Sequence, residues 1–311
     1  MKVKIGDICK RFSSGKNIKA CKIKTVGKYP VFGANGLRGY TDEYNFDGEC
    51  AIIGRQGAYC GNVKYFSGKA YMTEHAIVAE ADENNVSGYL YYKFKIMNLA
   101  QFQGQSAQPG LSVNTLSNIE IEVPEKRKQE EIFETLHRLE KKIQINEKIN
   151  NELENIINHI YSFWFLQFDF PNEKGGLYKS SGGSLVWNEV LKKEIPEGWK
   201  VQNLKENDLT YILNPGIENF KGSKIYLATG DVENNDIISG KNVTYENRES
   251  RANMQPIPNT VWFAKMKNSV KHIFVGEYSK SLIKDYIFST GFLGLKCVDR
   301  RNLEYINCFI N

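Results

Sequence analysis

Between residues 125 and 164 the apolar positions fall on a strict 4-3 spacing, the tightest constraint this chain places on its own fold. Reading from Ile132, the seam runs Leu136, Leu139, Ile143, Asn146, Asn150, Leu153, Ile157, Ile160 and Trp164. A repeat of 3.5 residues predicts one long amphipathic helix, and a stripe of that kind asks for a partner helix to cover it. Asn146 and Asn150 break the stripe at its middle, where buried amides give up stability but fix register and partner number. The competing reading is a surface helix packed on its own domain, with Ile145 and Ile149 widening the stripe. Pro124 suits the first position of the helix, and Glu125, Glu130 and Glu131 suit its positive end. The helix finishes in an aromatic cluster, Tyr161, Phe163, Trp164, Phe165, Phe168 and Phe170, ahead of Pro171.

The 311 residues leave room for two further domains around this helix. No apolar stretch is long enough to cross a bilayer and the start lacks a signal-peptide core, so a cytoplasmic protein without membrane contact is expected. The six cysteines form no C-x-x-C pair and the four histidines are scattered. Mostly buried, reduced cysteines and no metal site are therefore expected.

The net charge of +5 is unevenly spread. Residues 1–124 carry 15 Lys and Arg against 11 Asp and Glu, residues 125–170 carry 7 against 9, and residues 171–311 carry 19 against 16. Within the first flank the excess lies in residues 1–30, where Lys2, Lys4, Lys10, Arg11, Lys16, Lys19, Lys22, Lys24 and Lys28 face only Asp7. Such a strip suits a polyanion, although lysines on a solvated face give the same composition.

Each flank reads as short apolar strands between Gly and Asn turns, a mixed, β-rich α/β class. The first offers Tyr29 to Phe32, Cys50 to Ile53, Asn62 to Phe66 and His75 to Ala79; the second offers Lys224 to Leu227, Thr260 to Phe263, Lys271 to Val275 and Phe292 to Leu295. The comparable order suggests a diverged duplication. The expected division is a first domain over 1–124, the helix over 125–168, a Gly- and Ser-rich linker over 169–195 and a second domain over 196–311. That second copy is expected to be incomplete, because the strands and helix that follow in the first have no counterpart after Cys308 to Asn311.

No catalytic constellation stands out. A phosphate-binding P-loop, a methyltransferase Asn-Pro-Pro-aromatic loop and a nuclease carboxylate cluster are all missing their required residues. Recognition chemistry remains. Gly54-Arg55-Gln56-Gly57 follows a strand, and Arg and Gln pair with guanine and adenine edges for about 1–3 kcal/mol of discrimination each. A second loop, Gln101 to Gly110, is dense in amides and includes Gln105 and Gln108. Two such loops in a basic β-rich domain favour contact with bases.

Three stretches carry a resemblance. Tyr29-Pro30-Val31-Phe32-Gly33-Ala34-Asn35-Gly36 and Gly54-Arg55-Gln56-Gly57, with Cys60 to Val63, form the first. Ser106 to Ser112, followed by Ile119 to Pro124, form the second. The third is Trp164 to Asn172, then Tyr178 to Gly183 and Ile195 to Trp199. In this order they resemble the specificity (S) subunit of type I restriction-modification systems. The resemblance implies two target-recognition domains that each read half of a split site in double-stranded DNA, held apart by two antiparallel helices. It implies methyltransferase subunits that methylate adenine, a restriction subunit that cleaves, and no catalysis by this chain. S-adenosylmethionine, ATP and Mg would belong to those partners. Arg55, Gln56, Gln105 and Gln108 are then the candidates for base edges, and Lys16, Arg38 and Lys64 for phosphates. The approximate repeat carries the search to Lys265, Lys267, Lys271 and Thr290. The helix would dock methyltransferase subunits, and its seam could pair with another copy. A fused methyltransferase-endonuclease and an inactive truncated remnant are the alternative readings.

Overall fold

The computed structural model describes residues 2–57, 60–104 and 110–310. It consists of two compact units, residues 1–148 and 149–311, whose boundary falls inside the long helix. In the first unit β1 (Lys2–Lys4), β2 (Cys9–Ser14), β3 (Tyr29–Gly33), β4 (Gly36–Thr41), β5 (Phe46–Gly54), β6 (Val63–Met72) and β7 (Ala76–Ala81) are followed by α1 (Ser87–Ile96), α2 (Val113–Ser117), β8 (Glu120–Glu122) and α3 (Lys126–Tyr161). Among the described residues six strands join in the order β2-β7-β5-β6-β3-β4, and β1 pairs with β8. All neighbours are antiparallel except β3 and β6.

The strand interiors read as unbroken apolar runs because both faces are covered. Cys50, Ile52, Ala76 and Val78 pack with Phe46 and Met72 on one face, whereas Ala51, Ile53, Ile77 and Ala79 face Leu90 and Phe94 of α1 on the other. Gly48 sits opposite Gly68 in the β5–β6 ladder, both at positive φ (151° and 121°), where the missing side chains let the two strands turn together. The apolar run Tyr89 to Tyr92 is not a further strand but lies in α1. A short apolar run buried on one side does not declare its period, so its helical state is decided by packing.

Gln129 fastens α3 to this unit. It is 1% exposed, its amide nitrogen donates to Asn85 Oδ1 and Pro124 O at 2.9 Å, and its Oε1 accepts from the Val86 N–H at 3.1 Å. Phe133 covers Gly88, where a Cβ would collide with the ring. Tyr91 and Tyr92 each donate to the Glu140 carboxylate at 2.8 Å, with Lys95 beside it. Burial pushes that carboxyl up, but the two phenols and the ammonium outweigh it and hold it below its usual range. The docked face therefore runs through 129, 133, 137 and 140, about a quarter turn from the heptad seam. Leu139, Ile143 and Leu153 on the seam are 54%, 58% and 51% exposed, and Leu136, Asn146, Asn150, Ile157 and Ile160 are exposed with them. On the first unit the helix is thus packed over its first four turns, and its last turn packs within the second unit through Tyr161 on Tyr305.

The second unit contains β9 (Leu185–Asn188), β10 (Lys193–Pro196), β11 (Thr210–Ile212), β12 (Lys224–Leu227), the small hairpin β13 (Val232–Glu233) and β14 (Asp236–Ile237), β15 (Lys241–Val243), β16 (Ala252–Met254), β17 (Thr260–Ala264) and β18 (His272–Val275). They are followed by α4 (Lys280–Asp285), β19 (Tyr286–Ser289), β20 (Phe292–Cys297) and α5 (Leu303–Ile310). Its two four-stranded sheets run β11-β20-β17-β18 and β15-β12-β19-β16. If β16 and β17 are one broken strand, and β18 and β19 another, the order becomes that of the first unit, with β12 parallel to β19 as β3 is to β6. The first break coincides with Pro256 and Pro258, which cannot donate to a ladder. Trp262, fully buried, lies opposite Gly294, where a Cβ would meet the indole.

The stretch 169–195, expected as a linker, is ordered. α3 ends in a π turn over Ser162–Leu166, Phe168 takes φ 66°, and Asp169 turns back to accept from the Ser180 N–H and hydroxyl, both at 2.7 Å. Phe170 stacks between Tyr178 and Trp199, and β9 pairs with β10. Of the six cysteines, Cys50, Cys60 and Cys297 are buried, Cys9 and Cys308 are half-buried and Cys21 is exposed, so the expectation of a mostly buried set holds for only half.

Both anchors can be tested by substitution. Gln129→Ala leaves a main-chain N–H and carbonyl without partners, a loss of about 2 kcal/mol. Amide exchange at Leu90 should therefore quicken about 30-fold, and an unchanged rate would show that Gln129 does not anchor α3. Ser180 holds the Asp169 carboxyl below its usual range. A carboxyl depressed in the folded state stabilises above its unfolded pKa, and that stabilisation is lost as pH falls through the folded value. All four tryptophans lie in the second unit, so fluorescence follows its unfolding. The stability difference between the wild type and Asp169→Asn should be constant above about pH 5 and shrink below about pH 4. A difference that does not change down to about pH 2 would contradict it.

Candidate nucleic-acid interface

Three separate chain segments meet on the backbone of Arg55. Its N–H donates to the His75 carbonyl at 2.9 Å, and its own carbonyl accepts from the Leu111 N–H at 2.8 Å and the Cys60 thiol at 3.2 Å. Burial pushes that thiol above its usual range. On either side, Gly54 exchanges hydrogen bonds with Asn62 and Gly61 at 2.8 Å, Gln56 bridges to Gly110, and Gln103 donates to the Cys60 carbonyl at 3.3 Å. Gly57 and Gly61 sit at φ 83° and 86°, and a Cβ on Gly61 would lie 2.5 Å from the Ala100 nitrogen, so the turn back from β5 needs glycine there. The loop after β5 and both ends of the amide-rich loop are therefore held together. Gln105 and Gln108 themselves lie outside the described residues.

The side chains follow this frame. Arg55 is half-buried and donates to the Glu74 carbonyl at 3.4 Å. Gln56 is exposed, with Oε1 3.0 Å from His75 Nδ1, and His75 Nε2 lies 3.2 Å from Glu74 Oε1. Lys16, exposed, donates its N–H to the Met72 carbonyl at 2.9 Å, just after Gly15, whose missing side chain admits the backbone of Met72 and Thr73. The stem of exposed Arg38 lies over Gly33, within reach of Thr73, whose N–H donates to Phe32. Lys16, Arg38, Arg55 and Gln56 thus gather around the turn Thr73-Glu74-His75. Lys64, also exposed, holds its ammonium above Gly36 in the adjoining β3–β4 hairpin.

The basic strip over residues 1–30 is less free than its composition suggests. Lys10, Lys22 and Lys24 pair with Glu80, Glu43 and Asp42 at 2.9, 2.7 and 2.6 Å. Lys16 and Lys19 are left as exposed positions near the middle of the strip. His75 and Glu74 were not among the residues expected from the sequence. Their signal is a polar pair just before an apolar strand, which by itself is ordinary turn composition.

The second unit builds the same junction from different residues. In the first, Gly54 and Arg55 donate to Asn62 and His75; in the second, Ala264 and Lys265 donate to Lys271 and Gly291 at 3.1 and 2.9 Å. The cationic side chain repeats too, for Lys265 Nζ donates to the Thr290 carbonyl at 3.1 Å as Arg55 does to Glu74. Lys271 Nζ donates to Thr229 O at 2.8 Å, and the Thr290 N–H donates to Arg251 O at 2.8 Å, which adds exposed Arg251 to the group. Lys267 is exposed on the turn between β17 and β18. Among the described residues no group of three His, Cys, Asp or Glu side chains is arranged to hold a metal, and no helix is long and apolar enough to cross a membrane.

Comparison with known proteins agrees with this architecture. The type I restriction-modification specificity subunit from M. genitalium has a crystal structure that matches with a TM-score of 0.62 at 17% identity, over 100% of this chain and 76% of that one. The fold is therefore shared with that protein. The EcoprrI specificity subunit of Escherichia coli is 45% identical over 101 residues, covering 32% of this chain and 25% of that protein. The MjaIX specificity subunit of Methanocaldococcus jannaschii is 35% identical over 124 residues, covering 38% and 26%. The matched stretches thus span about a quarter of each curated relative's length. The family model for the type I restriction modification DNA specificity domain matches residues 1–155, which take in all of the first unit and the beginning of the second. Residues 1–155 belong to the type I restriction modification DNA specificity family.

Proposed function

We propose that the chain chooses the DNA on which partner subunits act and performs no chemistry itself. Residues 1–124 would read one half-site and residues 196–311 the other, with residues 125–168 as the helical connection. The observation that carries this reading is the gathering of Arg55, Gln56, Lys16 and Arg38, from separated stretches of sequence, around one turn. Cations there can neutralise phosphates while a guanidinium and an amide reach base edges. The repeated junction at Lys265 supports an equivalent role for Lys265, Lys271 and Thr290, with Lys267 on the neighbouring turn. In this reading methyltransferase subunits supply S-adenosylmethionine chemistry and a restriction subunit uses ATP and Mg.

The α3 seam gives the reading its second half. A run of leucines and isoleucines at 3.5 spacing, exposed along several turns, is a surface that asks to be covered by another helix. We assign it to assembly with methyltransferase subunits and to pairing with a second copy of the chain.

Both roles are open to direct measurement. Selection from a randomised duplex library should return a defined sequence for the wild-type chain, and a salt-steep but sequence-indifferent profile would overturn the DNA-reading role. The triple substitution Lys16→Ala, Arg38→Ala and Lys64→Ala should weaken binding to every sequence alike and lower the salt slope by about 2 to 3, at about 0.9 per lost phosphate contact. Solution mass of the chain, alone and with the methyltransferase subunit, should show a dimer or a complex that Ile143→Glu with Leu153→Glu weakens at least about tenfold. A monomer that binds no partner would exclude the assembly role.

A further inference from the structure

Gln56 is not a free amide. A glutamine side chain carries an acceptor at one end and donors at the other, and turning it over reverses their order along the edge it presents. Adenine is read only when the donor meets N7 and the acceptor meets the exocyclic amine, so the sense of the amide is part of the specificity. In the first unit that sense is set by a chain of three side chains: Gln56 Oε1 lies 3.0 Å from His75 Nδ1, and His75 Nε2 lies 3.2 Å from Glu74 Oε1. Nδ1 faces an acceptor and donates to it when it carries the ring proton, while Nε2 faces the carboxylate. The backbone holds the relay in place, because Arg55 N–H donates to His75 O and the Arg55 guanidinium donates to Glu74 O. The Glu74 Oε2 atom is buried without a hydrogen-bond partner among the described residues, so His75 meets the carboxylate's other oxygen.

We propose that His75 is a positioning residue for base selection: anchored by Glu74, it holds the Gln56 amide in one sense and so fixes which base that amide accepts. The proposal rests on the reading that this end of the first unit meets DNA. The second of the amide oxygen's two lone pairs, together with the amide N–H beside it, stays available to a base edge while the first is held by His75. His75 itself touches no base in this arrangement. Its counterpart in the second unit is Gly291, which has no side chain to serve the same purpose, so the relay is a feature of the first unit.

The test uses the full chain and the duplex sequence it selects, with each base pair of that sequence varied singly. Gln56→Ala should lose about 5- to 150-fold of discrimination at one base pair. His75→Ala should lose discrimination at the same base pair and at no other, while its affinity for unrelated duplex stays within about twofold of the wild type. In the double variant the loss should be no greater than in Gln56→Ala alone, because His75 acts only through that amide. His75→Asn, whose amide falls near the position of Nδ1 and can still donate, should recover part of the discrimination, which a purely structural role would not predict. A His75→Ala effect spread over many base pairs, an additive double variant, or no base-specific effect of Gln56→Ala would each overturn the proposal while leaving DNA selection intact. A wild-type chain that selects no sequence would instead overturn the reading on which it rests.

Discussion

The main-chain hydrogen bonds of Arg55 hold the candidate interface together. A strand that ends in a buried sheet has one more N–H and carbonyl to satisfy as it leaves the ladder, and leaving them unpaired costs more than any surface contact returns. Here the N–H is taken by His75 and the carbonyl by Leu111 and Cys60, so satisfying one residue draws two other loops to it. The candidate side chains on those loops are then placed by the sheet, although each belongs to an irregular segment. In the proposed role, that arrangement lets a binding surface sit on loops without being soft. Arg55 also serves both roles, with its backbone as the junction and its side chain across the Glu74 carbonyl.

The same device appears twice. Lys265 in the second unit occupies the place of Arg55, with the same pair of N–H donations and the same cation-to-carbonyl contact. What differs is how the long strands are bent. The first unit turns continuous strands at the facing glycines Gly48 and Gly68, whereas the second interrupts one strand at Pro256 and Pro258 and the other with α4. Side-chain identity at the junction differs, Arg in one unit and Lys in the other, His in one and Gly in the other, while the hydrogen-bond scheme is the same. The scheme is what the backbone requires, whereas the side chains differ between the two units.

Much of this was legible in the sequence, and the failures have physical causes. The heptad spacing located α3 to within a few residues, because a 3.5-residue apolar repeat held from Ile132 to Trp164 matches the helical period and neither the two-residue period of a strand nor the irregularity of a loop. The apolar runs at 29–32, 50–53, 62–66 and 75–79 fall on β3, β5, β6 and β7, since strands buried on both faces leave a continuous signature. Tyr89 to Tyr92 is an apolar run of the same kind, yet it is helical, because Leu90 and Phe94 pack against the sheet from one helix face. The 169–195 stretch looked like a linker by composition, but Asp169 and Asn172 turn its serines and glycines into ordered hydrogen-bond partners. Arg55 and Gln56 could be singled out from their flanking glycines. His75 and Glu74 could not, because what gives them meaning is a contact with a residue about twenty positions away.

In the proposed role, DNA meets the first unit at the turn where these loops converge. Amide hydrogen exchange of the full chain, with and without a duplex carrying the sequence it selects, tests that contact most directly. New protection is predicted at 54–57, 73–75 and 110–111, with the β5–β7 interior unchanged. Protection confined to other surfaces, such as the 82–86 turn or the free face of α1, would contradict it.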